Sequence, residues 1–368
     1  MTIQQLIDQI ANQPIQWKTL GEVAKLSRGR VISKEYLREY EGEYPVYSSQ
    51  TANNGELGRI STYDYDGDYL TWTTDGAYAG TIFHRSGKFS ITNVCGLIKV
   101  TDERINIKYL YYWLSLKAKD YVYQGMGNPK LMSNVMETIL IPLPPLPIQQ
   151  QIADILDTFT ELQTELQTEL QTRKIQYNFY RNLLLKQTQN TQWKKVKDIA
   201  EIGTGSSNRQ DAVEDGEYPF YVRSKEVFRN NTYEFDEEAI LIPGEGGIGD
   251  IFHYVKGKYA LHQRAYRIHF TEKEIDTKYA YYYFAAFFKD FILKKAVSAT
   301  VTSIRKPMIE EFAIPLPSLA EQHRIVDILD RFETLVNDLT TGLPAEIALR
   351  QQQYQYYRNQ LLSFPQPE

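Results

Sequence analysis

The chain is nearly written twice over. The stretch IPLPPLPIQQQIADILDTF (141–159) aligns with IPLPSLAEQHRIVDILDRF (314–332) at an offset of 173 residues, and YRNLLL (180–185) returns as YRNQLL (357–362) at an offset of 177. Upstream, WKTLGEVAKLSRG (17–29) mirrors WKKVKDIAEIGTG (193–205), GEYPVY (42–47) mirrors GEYPFY (216–221), and IFH recurs at 82–84 and 251–253. Repetition on this scale decides the architecture before local propensity does. At 368 residues the chain is long enough for two or three domains with real cores. The repeat predicts two half-molecules, each a globular block followed by a Pro-rich elbow and a long helix.

The helices are signalled by their spacing. Ile152, Ile155, Leu156, Phe159, Leu162 and Leu166 form one apolar stripe, as do Ile325, Ile328, Leu329, Phe332, Leu335, Val336 and Leu339 in the second copy. Pro142, Pro144, Pro145 and Pro147 stop the first helix from extending backwards, and Ser318 followed by Glu321 fits a capping box. A helix with one apolar stripe needs a partner, and the other copy supplies it, as a two-helix coiled coil. Thr341-Gly342-Leu343-Pro344 is predicted to break or kink the second helix. Inside the first, TELQ stands three times in succession from Thr160 and places Leu162, Leu166 and Leu170 on nearly one face. Each unit adds about 6 Å of helix and a net rotation of about 40°, so the stutter is read as an adjustable spacer.

In the globular blocks, EAILIP (238–243), TIFHRS (81–86) and AYRIHF (265–270) are strand-like runs set among Gly- and Asn-rich turns. The expected fold is therefore mixed α/β (α+β): two duplicated domains separated by two long antiparallel coiled-coil helices, with pseudo-two-fold symmetry. The boundaries are a short N-terminal helix within 1–16, packing near the C-terminal helix end, a first domain over 17–140, an elbow and spacer helix over 141–190, a second domain over 191–313, and a final elbow and helix over 314–368.

Composition excludes several classes. Charged residues at 24% and hydrophobic ones at 42% speak against global disorder. The start, MTIQQLIDQIANQ, lacks the pattern of a signal peptide, and the single Cys95 fits a reducing cytoplasm and reads as a small buried hydrophobe. A net charge of −5 argues against indiscriminate nucleic-acid binding but leaves room for a local basic face. YLYYWL (109–114) and YAYYYF (279–284) read as packing clusters.

Catalytic signatures are missing. There is no Walker A, no HExxH, no Glu-x-Lys and no Asn/Asp-Pro-Pro-aromatic, since Pro144-Pro145 lies in LPPLP. His84, His253, His262, His269 and His323 have no metal-ligand spacing, and the recurrence of IFH assigns His84 and His253 to equivalent structural positions. GEGGIG (244–249) satisfies GxGxxG, yet DIFHYVKGKYALHQ follows it with strand character where a dinucleotide site needs a helix. A tight turn, or a close backbone approach to a ligand such as DNA, is the better reading.

The paired IPLP-x-L-x-x-Q elbows and the (I/V)-x-D-I-L-D helices after them, EQHRIVDILD (321–330) above all, resemble the specificity subunits of type I restriction–modification systems. The resemblance covers nearly the whole chain; the first copy departs from it at Ile148, where the second has Glu321. It implies that each block is a target recognition domain reading one half of a split double-stranded DNA site. It also implies that the helices space the blocks and dock two methyltransferase subunits, and that restriction subunits join them. No catalytic residue, cofactor or metal is then expected in this chain. S-adenosylmethionine would sit on the methyltransferase subunits, ATP and Mg on the restriction subunits, all in the cytoplasm and away from membranes.

Candidate DNA contacts are polar or basic residues in turns. In the first block these are Arg28, Arg30, Ser48, Ser49, Gln50, Asn53, Thr73, Thr74 and Tyr78; in the second, Asn208, Arg209, Arg223, Ser224, Lys225, Gln263 and Arg264. Asn128 and Lys130 before the first elbow, and Ser303, Arg305 and Lys306 (in Thr302–Lys306) before the second, fall at equivalent places suited to phosphates. Arg and Gln have bidentate partners on base edges, which favours Arg209, Arg223, Gln263 and Arg264 as readers. Two other readings stay open on sequence alone: an enzyme with its site between the halves, and a coiled-coil adaptor that binds only proteins.

Overall fold

The computed structural model describes residues 2–125, 127–186, 191–247, 249–295 and 303–365. It divides into two compact units, Met1–Glu165 with Ile347–Glu368, and Leu166–Glu346.

In the first unit β1 (Gln16–Thr19) pairs antiparallel with β10 (Leu140–Leu143), closing the ends of the block on each other. One sheet runs β2 (Ala24–Arg28), β9 (Cys95–Val100), β6 (Tyr69–Thr73), β7 (Ile82–Arg85). A second runs β4 (Glu56–Ile60), β3 (Glu41–Tyr47), β8 (Lys88–Ile91), β5 (Tyr65–Asp66), with β3 and β8 parallel. The helix Ile107–Lys117 buries Tyr109, Tyr112 and Trp113 against the core. The N-terminal helix, Ile3–Ala11, opens on a complete capping box between Thr2 and Gln5. Its Leu6 and Ile10 lie in the same core cluster as Leu361, Leu362 and Phe364.

The second unit repeats the plan with one six-stranded sheet. β11 (Gln192–Lys195) pairs with β18 (Ala313–Leu316). The sheet order is β12 (Ala200–Thr204), β17 (Ala265–Phe270), β15 (Phe235–Pro243), β16 (His253–Leu261), β13 (Tyr218–Tyr221), β14 (Val227–Asn230). In the first unit the strands β5–β6 and β7–β8 are each parted at a glycine, Gly67 and Gly87, which still bond each other through the main chain (3.2 and 3.0 Å). The second unit runs the same stretches as two nine-residue strands, with Gly257, at φ of +101°, in the place of Gly87.

Strand register fixes which residues correspond. Leu70 faces Ile98 as Ile240 faces Ile268, and Thr71 faces Phe83 as Leu241 faces His253, every pair shifted by the same 170 residues. The repeated IFH strings differ by 169, so the expected equivalence of His84 and His253 does not hold: His84 corresponds to Tyr254, and Phe83 to His253. Side chains alternate along a strand, so this one-residue slip puts the two histidines on opposite faces.

The spacer helix is continuous over Leu146–Lys186, 41 residues. In the first unit its Phe159 stacks on Tyr357, with ring centroids 5.6 Å apart; in the second its Tyr180 stacks on Phe332 at 5.9 Å. The C-terminal partner is two helices, Leu319–Asn337 and Leu343–Leu361. The break comes earlier than Thr341, because the Asp338 carboxylate accepts hydrogen bonds from Thr340 N (2.7 Å) and from both threonine hydroxyls. Leu339, placed in the apolar stripe by spacing, therefore lies in the turn and is 79% exposed. Ser318 caps its helix as expected by accepting from Glu321 N (3.3 Å), but the Glu321 carboxylate turns to Arg324 at 2.7 Å.

The elbows explain their own motif. Gln149 and Gln322, the last residue of each IPLP-x-L-x-x-Q, are fully buried. Gln149 Nε2 donates to Pro144 O and Arg104 O, both at 2.8 Å, while its Oε1 accepts from Asn106 N at 2.9 Å. Gln322 repeats this on Pro317 O, Glu274 O and Asp276 N, all at 2.8 Å. The tyrosine clusters complete the joint: Tyr109 OH donates to Pro142 O (2.9 Å) and Tyr279 OH to Pro315 O (3.0 Å). The final Asp of each D-I-L-D accepts from a second tyrosine, Asp157 from Tyr112 (2.7 Å) and Asp330 from Tyr282 (2.5 Å). Replacing Gln322 with leucine strands three buried main-chain partners. The Gln322→Leu chain is expected to lose about 3 kcal/mol of stability in urea unfolding; an unchanged midpoint would show that the joint bears no load.

Candidate nucleic-acid interface

A glycine sets the geometry in each unit. A Cβ on Gly205 would lie 1.8 Å from Leu261 O, and one on Gly29 2.0 Å from Ile91 O. Only glycine permits this approach, which holds the segments after β2 and β12 against the turns 92–94 and 262–264. Those turns match bond for bond: Cys95 N donates to Thr92 O at 3.0 Å, and Ala265 N to His262 O at 2.9 Å.

In the second unit the turn meets two others. Arg264 is tied at its main chain, its N donating to His262 Nδ1 (2.9 Å) and its O accepting from Gly244 N (2.8 Å). Its guanidinium donates to Glu245 Oε2 at 3.0 Å, and Arg223 Nη1 donates to the same oxygen at 3.1 Å. Arg209 lies 3.6 Å over the Phe228 ring, a cation–π placement that orients its fork. Arg209, Arg223, Ser224, Phe228, Glu245 and His262 line a cavity of about 450 Å³. Burial, then the charges of Arg223 and Arg264, hold the pKa of His262 below its ordinary value. Gln263 Nε2 donates to Asn208 Oδ1 at 2.5 Å, joining those two side chains at the edge.

The four preferred readers, Arg209, Arg223, Gln263 and Arg264, are thus brought to one place. Lys225 is exposed beside them, and the Ser224 hydroxyl donates to Glu226 O at 3.1 Å. Ser303 bridges to Glu245 through the main chain, Arg305 precedes the short helix Lys306–Glu310, and Lys306 pairs with Glu310 at 3.9 Å. Thr302 of that cluster and Ile248 of GEGGIG lie outside the described residues. The glycine stretch runs from β15 into β16, with Gly246 and Gly247 at φ of +72° and +57°. It is a strand–turn–strand, not the strand–helix start that a dinucleotide needs.

The first unit distributes its candidates differently. Ser48 accepts from Thr92 Oγ1 (2.9 Å), Ser49 donates to Val94 O and accepts from Thr74 N (3.1 Å), and Gln50 donates to Glu56 O. Thr73 donates to Tyr78 O, and the Thr74 hydroxyl lies 2.8 Å from Val94 O. These five side chains knit the loops together. Arg30 pairs with Asp64 at 3.0 Å, and Arg28 Nη2 lies 3.2 Å from Met132 Sδ. Asn53, Tyr78, Asn128 and Lys130 face solvent, Tyr78 being 61% exposed.

Sequence reasoning passed over Asn93, Glu245, His262 and Arg85. Asn93 is exposed and corresponds to Gln263 in the matched turns; only strand register, not string similarity, reveals the match. Arg85 is buried at 3% exposure, 3.6 Å over Tyr47 and 4.3 Å over Phe83, and donates to Thr71 Oγ1 at 3.2 Å. Cys95 is buried, and desolvation pushes its thiol up to about 12, as suits a packing residue.

Among the described residues no group of His, Cys, Asp and Glu could hold a metal ion, and no helix is long and apolar enough to cross a membrane. A family model for the type I restriction–modification DNA specificity domain matches residues 12–175 and 189–349. Two putative type I specificity subunits of Mycoplasma pneumoniae are similar over most of their length. S.MpnORF507P is 34% identical across 94% of this chain and 96% of its own length. S.MpnORF89P is 38% identical across 84% and 98%. The crystal structure of a type I restriction–modification S subunit from M. genitalium superimposes with a TM-score of 0.68 over 97% of this chain and 98% of that one, at 16% identity, and so shares the fold. Twofold match to the specificity-domain model and similarity across whole relatives place the chain in the type I restriction–modification DNA-specificity family, the non-catalytic subunits of those systems.

Proposed function

We propose that the two blocks, 17–140 and 191–313, are target recognition domains that read the two halves of a bipartite double-stranded DNA site. The observation that carries this reading is the pair of matched turns at 92–94 and 262–264: one frame, held by one glycine contact, presenting different exposed side chains. A duplicated frame with unlike readers suits a split site with unlike halves, because base-edge contacts specify while phosphate contacts position. The overall charge of −5 requires the basic surface to be local, and the arginine cavity of the second unit answers that requirement. Arg28, Asn53, Tyr78, Asn93, Asn128 and Lys130 in the first unit, with Arg209, Arg223, Lys225, Gln263, Arg264 and Arg305 in the second, are the proposed contacts.

The elbows and long helices, 141–190 and 314–368, space the readers and dock two methyltransferase subunits. Those subunits bind S-adenosylmethionine and methylate an extruded adenine in each half-site. Restriction subunits, with ATP and Mg, complete the complex in the cytoplasm. This chain contributes the address. Co-expression with its methyltransferase subunit in a host without adenine methylation, followed by mapping of modified bases, is expected to yield a split motif of two short halves. A continuous motif, or no modification, would overturn the assignment.

A further inference from the structure

We propose that Glu245 makes the second unit a guanine reader by aligning Arg264 and Arg223, and that the first unit has no such reader. The inference rests on the DNA-reading assignment above and adds the base class and the residue that sets it. Two guanidinium groups repel each other unless a carboxylate stands between them, and Glu245 Oε2 accepts from both, at 3.0 and 3.1 Å. The main chain of Arg264 is fixed by its bonds to His262 Nδ1 and Gly244 N, which sets where the side chain starts, and Glu245 orients the fork at its end. A planar fork held this way matches guanine O6 and N7, the commonest specific partner of arginine. Access is open on the glycine side: a Cβ built on Gly246 meets nothing within 4 Å.

The first unit supplies the contrast. Its Asp75 occupies the place of Glu245, as the bridges Asp75–Lys130 and Glu245–Ser303 show. The position of Arg264 is taken by Val94, and that of Arg223, two residues after the matched Tyr221 and Tyr47, by Ser49. Ser49 is spent on Val94 O and Thr74 N. The carboxylate frame is present in both units; the two forks it aligns are present in one.

The test uses the full chain assembled with its methyltransferase subunits, with modified bases mapped for the parent, Arg264→Ala, Arg264→Lys and Glu245→Gln. One half of the parent motif is expected to contain guanine. Arg264→Ala should relax that position alone, by about tenfold to a hundredfold in discrimination, leaving the other half and the gap unchanged. Arg264→Lys, which keeps the charge and loses the fork, should relax it too, and Glu245→Gln should do so with weaker effect. A split motif in which these variants alter no guanine, or in which they depress methylation of all sequences equally, overturns the guanine reading alone. A motif that is not split overturns that reading and the bipartite assignment together.

Discussion

Deleting one TELQ unit, residues 160–163, is expected to preserve both half-sites and shorten the gap between them by about one base pair, ending methylation of the parental site. Four helical residues carry a net rotation of about 40° and about 6 Å of length, against about 35° and 3.4 Å for one base pair. The rotations nearly agree, and the difference in length falls to tilt or DNA bending. The helix runs through the repeat without a break, and the division between the units falls inside it, at Glu165 and Leu166. Thr160 and Thr164 return their hydroxyls to the carbonyls of Leu156 (2.8 Å) and Thr160 (2.9 Å), and Leu162, Leu166 and Leu170 are all half-buried. Each TELQ repeat thus presents nearly the same face as the one before, turned by about 40°, so a deletion keeps the helix and its stripe. Mapping the modified bases of the deletion variant decides the matter: altered half-sites at a constant gap would refute the spacer.

The largest structural effect is expected at the close-approach glycines. A methyl group on Gly205 would sit 1.8 Å from a main-chain oxygen of β16, and neither strand can yield without losing its ladder. Gly205→Ala should cost more than about 4 kcal/mol, a large share of the ~5–15 kcal/mol that holds a domain folded. The expected result is an insoluble chain or a strongly lowered melting temperature. Gly246→Ala is the control, since it meets open space and pays only for its φ of +72°, about 1–2 kcal/mol. A Gly205→Ala chain that melts with the parent would refute the contact.

Periodicity and repetition carried much of the fold. The strands EAILIP, TIFHRS and AYRIHF and the course of the spacer helix lie where spacing puts them, because those signals are local. Pro147, expected to bar the helix, instead sits in its first turn, where a missing N–H costs nothing. The failures were non-local. IFH invited an alignment by identity, but the strands pair one residue out of that register, and nothing within the string reports its partner. Leu339 has the right spacing for the stripe, but an Asp338 turn wins over periodicity. At the candidate site, the arginines and glutamine proposed as readers stand out in the sequence by residue type and by their place in turns. Glu245 was hidden inside a glycine motif that looked like a phosphate cradle, and Asn93 had no sequence signal apart from its strand register. Ser48, Ser49, Gln50, Thr73 and Thr74 look like ligand-facing residues by type, and only the folded loops show their hydrogen bonds turned inward.

The elbow glutamines grip peptide groups: Arg104 O, Pro144 O and Asn106 N in one unit, Glu274 O, Pro317 O and Asp276 N in the other. A peptide group is the same whatever side chain it carries. A socket of this kind lets a recognition block drift in sequence, or be exchanged for another with a different target, without refitting the hinge that joins it to the helices. Choice of target and assembly of the complex can then be inherited as separate parts.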